Sequence, residues 1–420
     1  MVIVSFGRIK NLGIIKSARY LSAFILWAVI AVITADGLVT TVSAAESIIK
    51  EIALPDDLSS ANTIGIDDSG AVWFTEKLGK KLARLDPASK QFESFTLPES
   101  WGDVGFSTFT ISPGGKIWFT VRRWVENVEI QNVLGKYDPA DGFFTKFNLS
   151  IDAIPEELLV DQAGVIWFVA SNKNRLYRVD PETFTIKGYP VPTPNGFPRS
   201  LTVDSKGVIW FVEPSVNKIG KFDPVAELFY EYEIPTAFSN PGQITIDKAG
   251  RVWFVQMNGN RIGAFYPELK RFDEALIPTR RSTPNAIAAD KDGNIWFLQY
   301  RGNKVGVFRP KEAVFHEYDI PTFGSLPGDM VIDHQRSLLW FTEGNTEAKR
   351  LGLLSIDDAL AQSKQQDAAH ASGAIGAARE SATRQPYWLN WLPAMLLLTL
   401  IVFVAIWYSR AKKPSKGGSE

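Results

Sequence analysis

Residues 71–76 read AVWFTE, and a Trp-Phe pair like the one at their centre returns six more times along this chain of 420 residues. The spacings between successive pairs are 45, 49, 43, 43, 43 and 44 residues. The pairs begin at Trp73, Trp118, Trp167, Trp210, Trp253, Trp296 and Trp340. Self-similarity at such a period is typical of repeat architectures, so the chain predicts one structural unit used seven times.

Each repeat contains four strand-length segments. In the fourth repeat these are SLTVD (200–204), VIWFVE (208–213), NKIGKFDP (217–224) and LFYEYEIP (228–235), separated by turns rich in Gly, Asp, Asn and Pro. Neighbouring strand residues point to opposite faces, so Trp beside Phe requires burial on both faces, as in a blade held between two others. The pattern predicts an all-β fold, a seven-bladed β-propeller of four-stranded blades, over residues 46–354.

The last repeat lacks its fourth strand. It provides MVID (330–333), LLWFTE (338–343) and KRLGLLS (349–355) and then changes composition. The segment SIIKEIALP (47–55) resembles the fourth-strand sequence at 228–235. We therefore expect this N-terminal strand to complete the last blade and remove an open sheet edge.

The two ends of the chain predict an export signal and a membrane anchor. Residues 1–45 combine basic residues, an apolar stretch and small residues, as in a signal peptide or membrane anchor. Residues 355–386 are rich in Ala, Ser and Gln and predict a tether that is at most partly helical. Residues 387–409 predict a transmembrane helix, with a buried core helix as the alternative, and residues 410–420 predict a basic cytoplasmic tail. The propeller is thus expected on the periplasmic or extracellular side of the cytoplasmic membrane.

The composition limits the chemistry. With 45 Lys+Arg against 46 Asp+Glu, the chain has no basic field for nucleic acid, and no nucleic-acid partner is expected. The absence of Cys excludes disulfides, thiol catalysis and Cys-bound metals.

The two ends of the predicted ring differ. Turns between first and second strands are short and uniform (DDSG at 67–70, DSKG at 204–207), as expected for structural turns. Connections at the other end vary, include the long loop 121–132, and concentrate Arg and aromatic residues, the types that carry binding energy. Ordinary solvated loops are the alternative. The candidate ligand-binding residues are Trp101, Arg122, Arg123, Trp124, Arg199, Gln243, Asn285, Tyr300 and Arg301; Phe197, Arg280 and Arg281 belong to the same loops.

Acidic residues follow several Trp-Phe pairs or begin an inner strand. Glu76, Glu213, Asp329 and Glu343 form a candidate metal set of oxygen ligands suited to Mg²⁺ or Ca²⁺, and Asp329 and Glu343 are the catalytic candidates. A solvated carboxylate at a strand end is the alternative for each.

The pattern G-x-x-W-F-T-E, N-K-I-G-x-x-D-P and F-x-E-Y-x-I-P resembles the streptogramin (virginiamycin B) lyase family of seven-bladed propellers, over residues 47–354. The resemblance implies opening of a cyclic depsipeptide by elimination, with a His base and Mg²⁺ near acidic residues at the channel mouth. The family's His positions correspond to Asn285 and Gly328, and its further Glu to Gly344. The three His residues present, His316, His334 and His370, fall on an outer strand, in a first turn and in the tether.

Two hypotheses follow. The first is a membrane-tethered propeller that binds a ligand or protein partner through its varied end. The second is a divalent-metal-dependent lyase, or an enzyme that opens a lactone or ester, acting at the channel mouth. A shared scaffold does not transfer a site whose residues are absent, so the first is favoured.

Overall fold

The structure, a computed structural model, describes residues 47–383 except 78, 126–127, 150 and 152, with only the backbone for 122–132 and 370–383. The predicted signal or anchor (1–45), transmembrane helix (387–409) and basic tail (410–420) lie outside the described residues. Within the described part, no helix has the length and apolar character needed to cross a membrane.

Twenty-eight strands form seven four-stranded antiparallel sheets in the described part of the chain. The first strand is β1, Ile49–Ala53. Blades 1 to 3 are β2 Ala61–Ile66, β3 Val72–Glu76, β4 Lys81–Asp86, β5 Gln91–Thr96; β6 Val104–Ile111, β7 Ile117–Val125, β8 Val128–Asp138, β9 Phe143–Asn148; β10 Pro155–Val160, β11 Ile166–Ala170, β12 Arg175–Val179, β13 Ile186–Pro190. Blades 4 and 5 are β14 Leu201–Val203, β15 Ile209–Glu213, β16 Lys218–Asp223, β17 Leu228–Glu233; β18 Pro241–Ile246, β19 Val252–Gln256, β20 Arg261–Tyr266, β21 Arg271–Leu276. Blades 6 and 7 are β22 Pro284–Ala289, β23 Ile295–Gln299, β24 Lys304–Arg309, β25 Val314–Asp319; β26 Pro327–Asp333, β27 Leu338–Glu343, β28 Arg350–Ser355 with β1.

The seven-bladed propeller predicted from the repeats is confirmed, as is the way the ring closes. β1 pairs antiparallel with β28, with Ile49 opposite Leu354 and Ala53 opposite Arg350. Ile49 is buried in the apolar cluster between blades 6 and 7. The N-terminal strand therefore covers the edge that β28 would otherwise expose.

The Trp-Phe pairs divide their side chains between two interfaces. Trp210 packs with Phe254 of the next blade, whereas Phe211 packs with Trp167 of the preceding blade. The Phe ring also needs space on its own sheet, since a Cβ at Gly220 would lie 2.1 Å from a ring atom of Phe211. The pair therefore records burial on both faces of a blade, as its sequence predicts.

A hydrogen bond from a Trp indole fixes each regular turn between a first and a second strand. The Asp67 carboxylate accepts the Trp73 indole N–H at 2.7 Å and the backbone N–H of Ala71 at 3.0 Å. The same indole bond joins Asp161 to Trp167, Asp204 to Trp210, Asp247 to Trp253 and Asp290 to Trp296, at 2.8, 3.2, 2.8 and 3.0 Å. These turns are structural, and their end of the ring is below called the turn end.

The predicted tether requires a correction. Residues Ile356–Thr383 form one α-helix, α1, and its first three turns pack against the propeller. Ile356 and Ala359 are buried in the cluster between blades 6 and 7, and the Tyr318 hydroxyl donates to the carbonyl of Ala359 at 2.6 Å. The composition of α1 is too poor in large apolar residues for independent folding, but the neighbouring blades supply the missing surface.

An ion-pair cluster extends this contact by two further turns. The Asp367 carboxylate accepts from the guanidinium of Arg309, which is 5% exposed, and lies 3.2 Å from Nε2 of His316. Arg309 ends β24 at the turn end, so α1 leaves the ring from there.

Substitution of Ala359 by Glu is expected to release α1 while the ring stays folded. The carboxylate would enter a position with 0% exposure, at a cost of about 2 kcal/mol or more in free energy of unfolding for the helix contact. Hydrogen exchange of residues 356–369 measures the release. Ala361→Glu, on the exposed face of the same helix, is the matched control and should leave exchange unchanged. Equal exchange in both variants would contradict the docked arrangement.

Candidate functional site

The connections between blades and those between second and third strands meet at one end of the ring, opposite the turn end. The backbone N–H of Tyr300 donates to Thr283 at 3.1 Å, and that of Asn345 donates to Ser325 at 3.0 Å. In blades 6 and 7 the incoming connection is thus hydrogen-bonded to a loop of the blade it enters. We call this the mouth end.

Three successive connections share a polar clamp. The Asn217 side chain donates to the carbonyls of Ile234 and Thr236 at 2.9 and 3.0 Å, and accepts from the Ser239 hydroxyl at 2.7 Å. Asn260 and Asn303 make the same contacts to the next two connections. Asn217 has a φ of 58°, a left-handed conformation that Asn tolerates better than most residues. The loops at the mouth end are therefore held in defined shapes.

A cavity of about 800 Å³ opens along the ring axis at the mouth end. Most inner strands begin at or just after a Pro, and the two residues that follow this Pro make most of the cavity wall. Counting the Pro as the first residue, these are the second and third residues of the strand, such as Gly242 and Gln243 after Pro241. The polar side chains used below are Asn62, Glu157, Arg199, Gln243, Asn285 and Asp329. The cavity is large enough for a small-molecule ligand.

The third residues form a hydrogen-bonded belt around the channel. Several of them accept a backbone N–H from the following blade: Gln243 from Ile287 at 2.8 Å, and Asp329 from Ile64 at 3.1 Å. Ser200 accepts from Ile244 at 3.3 Å, and the carboxyl group of Glu157 lies beside the N–H of Leu201. The belt ties inner strands together and orients these side chains toward the axis.

Gln243 also reaches across blade 6. Its amide nitrogen donates to the Asp329 carboxylate at 3.3 Å. Blade 6 has Ala286 at the belt position, and this short side chain leaves the path between blades 5 and 7 open. Asp329 is thereby held by two backbone amides and one side-chain amide.

Two carboxyl groups in this cavity have perturbed protonation. Burial, together with the charge of Asp329, raises the pKa of Glu157 to about 7, against the lowering effect of Ser200 and Leu201. Burial also raises the pKa of Asp329, against the N–H groups of Ile64 and Met330. A carboxyl group that titrates near neutral pH inside a cavity is able to exchange protons with a bound ligand.

Asn285 stands where the family resemblance implies an imidazole. Its amide nitrogen donates to the carbonyls of Pro327 and Gly328 at 2.9 and 2.7 Å. Its carbonyl oxygen is buried and has no partner among the described residues. Asn285 offers a hydrogen-bond acceptor but no titratable base.

The candidate binding residues separate into several groups. Arg199, Gln243 and Asn285 line the cavity, whereas Tyr300 and Arg301 lie on the turn after β23, at the rim. The prediction that Trp101 binds a ligand is corrected by the structure. Its side chain is 7% exposed and stacks on Phe119, with 6.1 Å between ring centroids, in the core between blades 1 and 2.

The prediction of a long loop over residues 121–132 is also corrected, because most of these residues belong to strands. β7 and β8 continue past the body of blade 2 as a hairpin, with Arg123 opposite Val104 and Arg122 opposite Gly105. The backbone of β7 includes Arg122, Arg123 and Trp124, whose side chains are not among the described parts of the structure.

The four acidic candidates for a metal are not brought together. Asp329 lines the cavity, but Glu76 points into its own blade's loops, where its carboxylate accepts the N–H groups of Ser59 and Lys81 at 2.7 and 3.0 Å. Glu213 and Glu343 are 0% exposed and lie beside Glu231 and Glu51 of their own outer strands. No three His, Asp or Glu side chains in the described ranges are grouped as an ion needs, so these residues do not fit the Mg²⁺ site of the family.

Glu213 and Glu343 occupy positions that hold Gln in blades 5 and 6. There Gln256 donates to Glu274 at 2.7 Å, and Gln299 donates to Glu317 at 2.9 Å. A Glu in this place can donate only when it is protonated, and neither carboxyl oxygen of Glu213 has a hydrogen-bond partner in the described structure. Burial, with the charge of Glu231, raises the pKa of Glu213 to about 8; burial, with Glu51, raises that of Glu343 to about 7. Glu213 and Glu343 are therefore buried carboxyl groups within their own blades, and their prediction as metal ligands is corrected.

Glu157 is the main residue that the sequence analysis missed. It occupies the same place after Pro155 that Gln243 occupies after Pro241 and Asp329 after Pro327. Alignment of the repeats on these prolines identifies it.

The comparisons with known proteins agree with this fold. The model of the Virginiamycin B lyase family matches residues 47–369. No curated protein sequence matches the chain. One similar solved structure is a catalytically inactive histidine-to-alanine variant of virginiamycin B lyase from Staphylococcus aureus with quinupristin, at 26% identity and TM-score 0.65, covering 73% of this chain and 98% of that one.

Two further solved structures are similar. A streptogramin B lyase has 28% identity and TM-score 0.64, covering 73% of this chain and 96% of its own. YCF48 bound to D1 peptide, at 13% identity and TM-score 0.58 with 74% and 96% covered, shares the fold alone. The seven blades, the repeat motifs and a match over most of the described residues lead to one conclusion: the chain belongs to the virginiamycin B lyase family.

Proposed function

We propose that this protein is a binding member of its family, which captures a ligand in the axial cavity and does not open it. The observation that carries the proposal is the cavity wall: a polar belt of amides, hydroxyls and carboxyls without an imidazole. His316 lies on β25 against α1, and His334 lies in the turn after β26 at the turn end. A relative made inactive by loss of one His supports the view that this chemistry depends on a residue type missing from this cavity.

The ligand that suits this cavity is polar and carries several hydrogen-bonding groups. Arg199 offers a guanidinium at the rim, Asn285 a free carbonyl oxygen, and Glu157 and Asp329 carboxyl groups deeper in the channel. Donors and acceptors already held in place lower the entropy lost on binding. The basic and apolar terminal segments support a location outside the cytoplasmic membrane, with the C-terminal apolar segment as the anchor.

One observation favours a second function. Glu157 lines the cavity, and burial there raises its pKa to about 7, which suits a general base for an elimination or for opening of a lactone or ester. In such an enzyme Glu157 would take a proton from the substrate, and Asp329 would modulate its charge. This second reaction uses Glu157 in place of the missing His.

Quinupristin distinguishes the two functions. Incubated with the full-length protein in mild detergent, with and without Mg²⁺, it is expected to remain intact by mass spectrometry. Ring-opened product that disappears with Glu157→Gln would overturn the binding proposal and support the enzyme.

Loss of the rim guanidinium tests the cavity directly. If quinupristin raises the melting temperature, Arg199→Ser should reduce its affinity by about tenfold, because a charge-assisted hydrogen bond is lost. Lys248→Ser, an exposed cation at the turn end, is the control. Equal loss of affinity in both variants would place binding outside the cavity.

A further inference from the structure

The rim of the mouth end carries two exposed aromatic side chains on either side of an arginine cluster. Phe238 is 88% exposed and Phe323 is 96% exposed, each at the tip of a connection between blades. The connection between them carries Arg280 and Arg281, both exposed. Arg301 is exposed on the adjoining turn, where its N–H donates to Ser282 at 2.9 Å. We call these five residues the rim arc.

The backbone beneath the rim arc is held from both sides. The clamps of Asn217, Asn260 and Asn303 fix the inner part of each connection. On the outer side, the Thr236 hydroxyl donates to Glu274 of the next blade at 2.9 Å, and the Thr279 hydroxyl donates to Glu317 at 2.8 Å. Phe238 and Arg281 have φ values of 53° and 54°, a conformation that a side chain adopts only where its surroundings impose it. The tips are therefore displayed on a rigid frame, which suits recognition.

The charge of the rim arc is not neutralised within the described structure. Arg280, Arg281 and Arg301 form no ion pair with any described residue, whereas Lys304 nearby pairs with Asp319. Aromatic and Arg side chains that cluster at one place are the residue types enriched at protein-binding hot spots. The complement of this arc is an acidic surface with apolar side chains beside its carboxylates.

We propose that the rim arc docks an acidic segment of a partner protein, with aliphatic or aromatic side chains packing on Phe238 and Phe323 and carboxylates pairing with the three arginines. This surface lies outside the axial cavity and is independent of the ligand proposed there. The five residues of the rim arc lie on three successive connections between blades, so a partner that contacts all of them must be as large as a protein segment.

The path of the chain favours a protein over a lipid surface. α1 begins at the turn end, where the N–H of Ile356 donates to Ser337 at 2.9 Å, and Asp367 still contacts Arg309 at that end. The chain thus continues toward its apolar C-terminal segment from the end opposite the arc. Phe238 and Phe323 thus lie at the end of the ring opposite the one that α1 contacts.

Peptide selection tests the proposal. A displayed library of short random peptides is panned against the full-length chain and then measured against two double variants, Phe238→Ser with Phe323→Ser and Arg280→Ser with Arg281→Ser. Matched controls at the opposite end are Val225→Ser with Leu269→Ser, 94% and 66% exposed, and Lys248→Ser with Lys291→Ser.

We expect selected peptides to be rich in Asp or Glu and in aromatic or large aliphatic residues. Their affinity should fall about tenfold or more in each rim variant, weaken with salt, and stay unchanged in the controls and in Arg199→Ser. Peptides without acidic enrichment, or equal binding to rim and control variants, would overturn the proposal. Binding of the chain to anionic lipid vesicles that is lost in the rim variants would also overturn it, in favour of a membrane surface.

Discussion

Deletion of residues 47–55 is expected to abolish the cooperative unfolding of the whole ring. These residues supply the outer strand of blade 7, in which five residues of β1 pair with β28. Glu51 of this strand accepts the N–H and hydroxyl of Thr322 at 2.7 and 2.9 Å and the Arg350 guanidinium at 3.0 Å. Loss of the buried Ile49 and Leu54 alone removes about 1.5–3 kcal/mol each, before any hydrogen bond is counted.

The summed loss is comparable to the stability of an ordinary domain, about 5–15 kcal/mol. Urea unfolding followed by circular dichroism, together with size-exclusion chromatography, should show a broad transition and association through the exposed β28 edge. Lys50→Ser, an exposed position on the same strand, is the control and should change little. A synthetic peptide of residues 47–55 should restore the sharp transition. A deletion variant with an unchanged midpoint and slope would contradict closure by β1.

Replacement of Glu213 and Glu343 by Gln is expected to stabilise the propeller at alkaline pH. Both carboxyl groups have folded-state pKa values raised from 4.5, to about 8 and about 7. The proton is therefore bound more tightly in the folded state. The stability that this provides is complete below about pH 4.5 and is lost as pH rises through the folded pKa values.

At pH 9 each substitution should increase the free energy of unfolding by on the order of 3 kcal/mol, and near pH 4 by little. The amide can donate to Glu231 or Glu51 at any pH, as Gln256 donates to Glu274 at 2.7 Å. Urea midpoints measured from pH 4 to pH 9 report the effect. Gln256→Glu is the reciprocal control, which should introduce a loss of stability at alkaline pH. Parallel pH profiles for the parent and the Gln variants would refute the assignment of buried, protonated carboxyl groups.

The repeated features were predictable because they are local. The Trp-Phe pairs, the Asp and Gly turns and the strand SIIKEIALP carry their own geometric reasons, and seven copies make the signal strong. The loop residues were less predictable. Trp101 belongs to the same class of residue as Phe238, yet it folds back onto Phe119, and only the packing of blade 2 decides this.

The helix α1 also could not be predicted from its own sequence. Its Ala-rich composition predicts a weak tether, and the residues that stabilise it are Tyr318 and Arg309, on strands of blade 6. A residue pattern cannot reveal surface that a distant segment will provide.

The sequence by itself determined the number of blades, the faces of each strand and the strand that closes the ring, because these depend on contacts within one repeat or between similar repeats. The tertiary structure alone decided the contents of the site. Closing the ring places Asp329 against Ile64, which is 265 residues away in the chain, and lets Gln243 reach Asp329 over the small Ala286. Glu213 and Glu343 lie away from the axis because, at the ends of their strands, their side chains turn toward the outer strands of their own blades and not toward the channel.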